Sequence, residues 1–316
     1  MKKNRIQLLT MLRESKAEHK IVMERFYRRE GITRQGYSQA MVRQKEHSKM
    51  LAYIKQEVDN YRLVKDRRAG SRSLFHNLEI KEICNIGVNK FERLMSQQGW
   101  ALAPYKTRLV TTKSCSRSRE YDNLTKGLTI NAINQLVVGD ITYVYVSNQL
   151  YFLFLLTDVY SARITGWNFG TRMRAIEAHK AFLRWMDLRG IKNLKNCVHH
   201  TDGGRQYFSN LYLNVLLDNE IQVSVADNCL ENGFAEQRNG LIKNHFLPTV
   251  QDGNPRDLPK KMDEILYIYN NERKQEALGW LSPSEFEEEW TNHQNPPKMT
   301  IYDRENKTIT LRRRVF

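Results

Sequence analysis

The sequence predicts an α/β domain built on a mixed five-stranded sheet, preceded by an all-α basic region. Three observations predict it. The net charge of +15 is unevenly placed: residues 1–120 hold 27 Lys+Arg against 12 Asp+Glu, whereas residues 121–316 hold 23 of each. Apolar residues recur at helical spacing as far as residue 100, and from Gln135 the chain turns to strand-length runs of Val, Ile, Tyr, Phe and Thr. Beyond residue 173, helical and strand patterns alternate, which is how a sheet covered by helices is written in sequence.

The basic region comes first. Residues 5–30 and 38–69 carry helical spacing, for example Ile6, Leu9, Met11 and Leu12, then Met50, Leu51, Ile54, Val58 and Tyr61. Between them, "EGITRQGYSQAM" offers Gly31 as a stop and Thr33 as a cap, the signature of a helix-turn-helix. A second copy is expected from Arg72 to Trp100. Leu74, Phe75, Leu78 and Ile80 would line one helix, and after "CNIG" Val88, Phe91, Leu94 and Met95 would line another that Gly99 closes. Asn89, Lys90 and Arg93 then face outward, where they could meet a major groove or phosphates, and Arg34 is a further basic candidate in the first unit. Residues 104–120, "PYKTRLVTTKSCSRSRE", show no periodicity and read as a basic linker, with Lys106, Arg108 and Lys113 as phosphate contacts.

The strand-rich part follows. In "QLVVGDITYVYVSNQLYFLFLLTDVYSARITGWNFG", turns at Ser147-Asn148 and at Asp158–Ser161 give three consecutive antiparallel strands. A helix over 174–190, a strand over 194–200, a helix near 209–219, a strand over 221–225 and a helix from about 235 to 246 come next. Three antiparallel strands and then α-β-α-β-α is the chain order of the ribonuclease-H-like fold. Another helix runs from Asp257 to Asn271, Ser282-Pro283 starts a short acidic helix, and Pro296-Pro297 leads to a terminal hairpin. The expected divisions are 1–69, basic and helical with the first helix-turn-helix; 70–103, the second; 104–134, linker; 135–290, ribonuclease-H-like core; and 291–316, linker and hairpin.

Several classes are disfavoured. No apolar run approaches the roughly 18 residues of a membrane span. Arg13, Glu14 and Lys16 stand where a signal peptide needs an apolar stretch, so a cytoplasmic protein is expected. Cys84, Cys115, Cys197 and Cys229 form no CxxC pair and suggest neither a disulfide framework nor a zinc site. A basic module joined to a neutral one points to a polyanion as partner.

Three acids carry the chemistry. Asp140 lies inside the first strand among Val137, Val138, Ile141 and Val144, where a charge is costly unless paired or bound to a cation. The strand carrying Cys197 and Val198 would lie beside it, which places Asp202 of "CVHHTDGGRQY" just beyond that strand's end. Glu236 opens the long helix, with Asn239 and Lys243 on the same face. Singly, Asp140 could be a salt-bridge partner, Asp202 a turn former and Glu236 a first-turn carboxylate. Together they make an all-oxygen site suited to Mg²⁺ or Mn²⁺, two ions per site, for in-line phosphoryl transfer. His199 and His200, adjacent on a strand, point to opposite faces and do not easily share an ion.

The motifs "DITYVYV" (140–146), "HTDGGRQY" (200–207) and "ENGFAEQRNGLIKNHF" (231–246), with "YNNER…ALGWLSPSEFE" (269–287) and residues 70–100, resemble the OrfB-type transposases of bacterial insertion sequences, in the DDE or retroviral-integrase superfamily. The resemblance implies Asp140, Asp202 and Glu236 as catalytic, metal-holding residues, with Glu231 the neighbouring competitor for the third place. It implies Lys243 and Asn239 as DNA contacts, joined by Arg205 beside Asp202. It implies that His200 supports the site, that Gly204 turns the backbone away from it, and that Tyr207 packs the following helix. The sequence departs from the family in having Val137 where a Trp is frequent, and Lys274-Gln275 where Pro-His is usual. The implied activity is DNA strand cleavage and 3′-OH strand transfer at the terminal inverted repeats of a mobile element. The implied partners are repeat and target double-stranded DNA, a second copy or higher oligomer on that DNA, and an upstream-frame protein as a further candidate. A ribonuclease-H-like nuclease that does not join, and a domesticated repeat-binding protein, are the alternatives.

Overall fold

The computed structural model describes residues 8, 10–15, 23–103, 120–227 and 233–301. Lys106, Arg108, Lys113 and Glu231 lie outside them, as does most of the expected basic linker. The chain divides into two compact units, residues 1–61 and 62–316.

In the first unit, α1 (Met23–Arg29) ends where Gly31 takes φ 64°, and α2 (Arg34–Val64) begins three residues later. Thr33 caps it, accepting the Gly36 N–H at 2.9 Å. Met23 and Tyr37 are buried with Phe26, Tyr27, Ile32 and Met41 against them, and Arg34 stands exposed at the start of α2.

The second unit opens with three short helices, α3 (Ser71–Asn77), α4 (Ile80–Cys84) and α5 (Val88–Gln97). The single helix expected through Leu78 and Ile80 is therefore two, because Glu79 adopts a left-handed conformation, φ 50°, that no α-helix continues through. Leu74, Phe75, Ile80, Phe91, Leu94 and Met95 are buried, and Asn89, Lys90 and Arg93 are exposed on α5.

After β1 (Thr129–Ile130) come β2 (Leu136–Val146), β3 (Gln149–Asp158) and β4 (Ile164–Gly170), then α6 (Ala175–Arg189), β5 (Val198–Thr201), α7 (Asn210–Asp218), β6 (Gln222–Val225), α8 (Gly233–Leu241), α9 (Leu258–Tyr267), α10 (Pro283–Trp290) and β7 (Met299–Thr300). The main sheet has the order β4-β3-β2-β5-β6, with β2, β3 and β4 antiparallel and β5 and β6 parallel to β2. This is the ribonuclease-H-like mixed sheet with flanking helices. Ser147 and Asn148, at φ 46° and 63°, make the two-residue turn that joins β2 to β3. The β5 strand is shorter than the expected 194–200, because Ile191–Leu194 form a 3₁₀ turn first.

Strand alternation sends neighbouring residues to opposite cores. Val137, Phe154 and Leu156 pack with Phe182 and Trp185 of α6 and with Tyr212, Leu213 and Leu216 of α7. Val144, Val146, Leu153 and Leu155 pack on the other face with Ile242, Phe246, Met262 and Ile265. Two helices end in wider π turns: α8 continues as Ile242–Phe246 and α9 as Ile268–Glu272. The acidic helix α10 starts with a capping box between Ser282 and Glu285. Strand β7 pairs antiparallel with β1, and the rest of the segment expected as a terminal hairpin, residues 302–316, lies outside the described residues. No helix among the described residues is long and apolar enough to cross a membrane.

Candidate active site

The site is a consequence of register. β2 has eleven residues but β5 has four, and the parallel ladder between them runs from Leu136↔Val198 to Gly139↔Thr201. Asp140 and Asp202 are the next residues on each strand. Paired strands lie about 4.8 Å apart, so the two acids leave the end of the ladder side by side. Gly139 leaves little room there: a Cβ would stand 3.1 Å from both His199 Cε1 and Leu156 Cδ2.

The third acid arrives on α8. Asn239, one turn after Glu236, donates its Nδ2 to Asp140 Oδ2 at 2.7 Å. That bond ties the helix to the first strand and leaves Glu236 on the exposed side of the helix's opening turn. Asn239 is itself buried, at 5% exposure, so its amide is spent on Asp140 and does not face solvent as an outward DNA contact would. The Asp140 carboxylate also accepts the Ile141 N–H at 2.7 Å. Asp202 Oδ1 accepts the Gly204 N–H at 3.1 Å, closing a tight turn. The glycine that this turn requires by conformation is Gly203, φ 82°, and not Gly204 as the motif suggested. Gly204 instead leaves room for the Gln206 side chain, whose Nε2 would lie 2.3 Å from an added Cβ.

Electrostatics bind the three acids together. Burial and then the charge of Asp202 push the Asp140 carboxyl up to about 7, with Glu236 adding a smaller push. Glu236 is raised in the same direction by burial and by Asp202. Among the described residues, no three His, Cys, Asp or Glu side chains converge closely enough to hold one ion. Asp140 and Glu236 both feel the charge of Asp202, and a hard divalent cation is the charge that would relieve that repulsion.

The histidines belong to the scaffold. His199 Nε2 pairs with Tyr212 Oη on α7 at 2.9 Å, and His200 Nδ1 pairs with Ser224 Oγ on β6 at 2.9 Å. Burial depresses them to about 3 and about 4, so both stay neutral. Tyr207 is buried and its ring meets Tyr212 of α7 at 5.5 Å. Arg205 is exposed three residues after Asp202.

Lys243 falls in the π turn and holds its ammonium 3.5 Å from the centre of the Tyr143 ring. Tyr143 stands in the sequence among the apolar neighbours of Asp140, and its place under Lys243 is not written there. The available signal is that β2 alternates: Tyr143 and Tyr145 keep 44% and 54% exposure where a core residue would be expected. Lys243→Ala is expected to weaken duplex binding and to flatten the dependence of log K on log[salt] by about one unit. Fluorescence anisotropy across a salt series checks this.

Residues 131–228 match the integrase core domain family. The chain is 29% identical over 206 residues to a protein designated a transposase for insertion sequence element IS986/IS6110 of Mycobacterium tuberculosis, covering 62% of this chain and 73% of that one. It is 25% identical over 237 residues to the transposase for insertion sequence element IS629 of Shigella sonnei, covering 74% and 79%. Among solved structures it is similar to the catalytic core domain of HTLV-2 integrase in complex with magnesium, with a TM-score of 0.42 and 20% identity over 49% of this chain and 97% of that one. The match to the integrase core and the likeness to transposases along most of the chain together support a place in the DDE, or retroviral-integrase, superfamily beside the insertion-sequence transposases.

Proposed function

We propose that the chain uses water to hydrolyse a phosphodiester at the terminal inverted repeats of an insertion sequence, freeing a 3′-OH whose oxygen then attacks another phosphodiester and displaces that strand's 3′-OH as the leaving group. The observation that carries this is the pair Asp140 and Asp202 at the end of the β2–β5 ladder, with α8 and its Glu236 tied to Asp140 through Asn239. The donor set is all oxygen, and the raised Asp140 carboxyl marks a place short of positive charge. It fits Mg²⁺ or Mn²⁺, two ions per site, held by Asp140, Asp202 and Glu236. When bound, the ions supply Lewis acidity at the phosphodiester and neutralise the carboxylates.

The chain's own residues do the rest. Asn239 orients Asp140, and the Asp202–Gly204 turn fixes the second carboxylate. Lys243 and Arg205 bind DNA phosphate beside the acids, Lys243 exchanging the Tyr143 ring for the backbone. Helices α3 to α5 bind the element end, with Asn89, Lys90 and Arg93 of α5 toward the duplex. The unit that contains Arg34 adds basic charge. One site per element end calls for at least two copies on DNA.

The test supplies a pre-cleaved duplex end with a free 3′-OH, a target plasmid, and Mg²⁺ or Mn²⁺. The expected result is a covalently joined end–target product that depends on the 3′-OH. Hydrolysis without joining would favour a nuclease. Repeat binding with neither reaction would favour a protein that only occupies repeats.

A further inference from the structure

A buried acid outside the active site has two hydrogen-bonding partners from distant parts of the chain, His245 and Arg273. Asp66, in the connection between α2 and α3, has no side-chain exposure. His245 Nδ1 donates to its Oδ1 at 2.7 Å, and Arg273 Nε donates to its Oδ2 at 3.0 Å. Burial alone would raise the Asp66 carboxyl, but the two partners outweigh it and hold it below the usual carboxylate range. His245 lies in the π turn that continues α8, two residues past Lys243 and nine past Glu236. Arg273 closes the π turn that follows α9. Each of the two π turns thus delivers one partner to the same carboxylate. Wide turns of this kind are rare and recur at functional positions.

The clamp is surrounded by a second set of contacts between the same parts. His76 of α3 stacks on Trp280, ring centres 3.8 Å apart and planes 14° from parallel. The Asn77 Oδ1 accepts the Lys274 N–H at 3.1 Å, Lys65 pairs with Glu272 at 2.8 Å, and Arg72 reaches Glu276 at 3.5 Å. Helix α3 therefore rests on the segment 272–280, while Asn89, Lys90 and Arg93 of α5 remain exposed.

We propose that Asp66 is a positioning residue that locks the α3–α5 module to the end of the catalytic helix, so that a DNA end bound by α5 is presented to the acids at one fixed phosphodiester. The proposal rests on the function argued above. An element end held by a freely hinged module would sample several phosphates; one held by a module keyed to α8 samples one. Removing the carboxylate charge leaves the Arg273 guanidinium, itself only 12% exposed, without its counter-charge, so the clamp loosens at both π turns.

The test uses the full chain, an end-labelled duplex carrying the element terminus, and two variants, Asp66→Asn and His76→Ala. The second removes the stacking on Trp280 and leaves the buried ion pairs alone. Three quantities are read: affinity for the duplex end, the rate and position of cleavage on it, and Mn²⁺-dependent nicking of a plasmid that lacks the end. Both variants are expected to bind the end within about threefold of the wild type and to nick the plasmid at near-normal rate. Cleavage at the end should fall at least tenfold and spread to neighbouring phosphodiesters, more in Asp66→Asn than in His76→Ala. Cleavage that stays at one position at the wild-type rate in both variants would overturn the proposal. So would a parallel loss of all three activities in both, which a merely structural role gives. If the wild type itself neither cleaves nor joins the end, the proposed function fails and not the clamp alone.

Discussion

Asp140→Asn is expected to abolish strand cleavage and joining, by at least a thousandfold, and at the same time to make the cation-free protein more stable. The loss follows from removing a charge that the phosphoryl-transfer site needs. The gain follows from linkage. An aspartate that folding pushes up to about 7, from an ordinary value of 3.8, costs nothing well below pH 4, where it is protonated in both states. Between pH 4 and 7 the unfolded chain ionises while the folded one does not, so the penalty grows as pH rises, and it is complete above pH 7. Three pK units correspond to about 4 kcal/mol as an upper bound. The asparagine carries no such penalty and can still meet Asn239 and the Ile141 N–H. Differential scanning calorimetry at pH 8 without divalent ions should show the variant melting several degrees above the wild type. At pH 4 the two should coincide. Added Mg²⁺ should raise the wild type and leave the variant where it is. A variant that melts below the wild type at pH 8 would mean that the Asp140 carboxylate is stabilised by partners and not strained by its neighbours.

Gly166→Ala is expected to be among the most damaging single-methyl changes in the sheet. Gly166 sits on β4 under α6, and a Cβ there would stand 2.4 Å from the Ala181 carbonyl oxygen and 3.1 Å from both Leu156 Cδ1 and Trp185 Cβ. The 2.4 Å neighbour is helix backbone, which cannot rotate aside as a side-chain tip can. Helix α6 must lift from the sheet, opening the contacts that Phe182 and Trp185 make with Phe154 and Leu156. Overpacking of this kind costs roughly 2–4 kcal/mol, or about 5–10 °C in melting temperature for a unit of this size. Gly240→Ala is the contrast. Apart from its chain neighbours and its own helix backbone, no atom lies within 4 Å of its added Cβ, and the position is helical, so a gain of about 0.5–1 kcal/mol is expected. Thermal melts of the two variants check both signs.

The physics that made parts of this molecule readable in its sequence is short-range. Strand alternation across 136–158 and the Ser147-Asn148 turn are local properties, and they suffice to order the sheet. Once the sheet is ordered, a lone acid in an apolar strand and the acid that directly follows a short strand fall side by side. Other features depend on partners that no local pattern announces. The break at Glu79 needs a left-handed residue of a type that usually avoids it. The π turns at 242–246 and 268–272 leave the apolar spacing almost unchanged while rotating His245 and Arg273 onto Asp66. Asp66 itself offered one clue, an acid set between Lys65 and Arg67-Arg68 in a basic segment, but its partners lie 179 and 207 residues away. Asn239 is the middle case. The helical spacing from Glu236 put it on the right face, yet only the packing of α8 on β2 turns it toward Asp140.

The central claim is that Asp140, Asp202 and Glu236 act together as one hard-cation site. Electron paramagnetic resonance of Mn²⁺ with the full chain and a duplex end at pH 7.5 tests it most directly. The account predicts that the wild type binds Mn²⁺ and that Asp140→Asn, Asp202→Asn and Glu236→Gln each weaken that binding at least tenfold. Wild-type Mn²⁺ affinity retained in all three variants would contradict it.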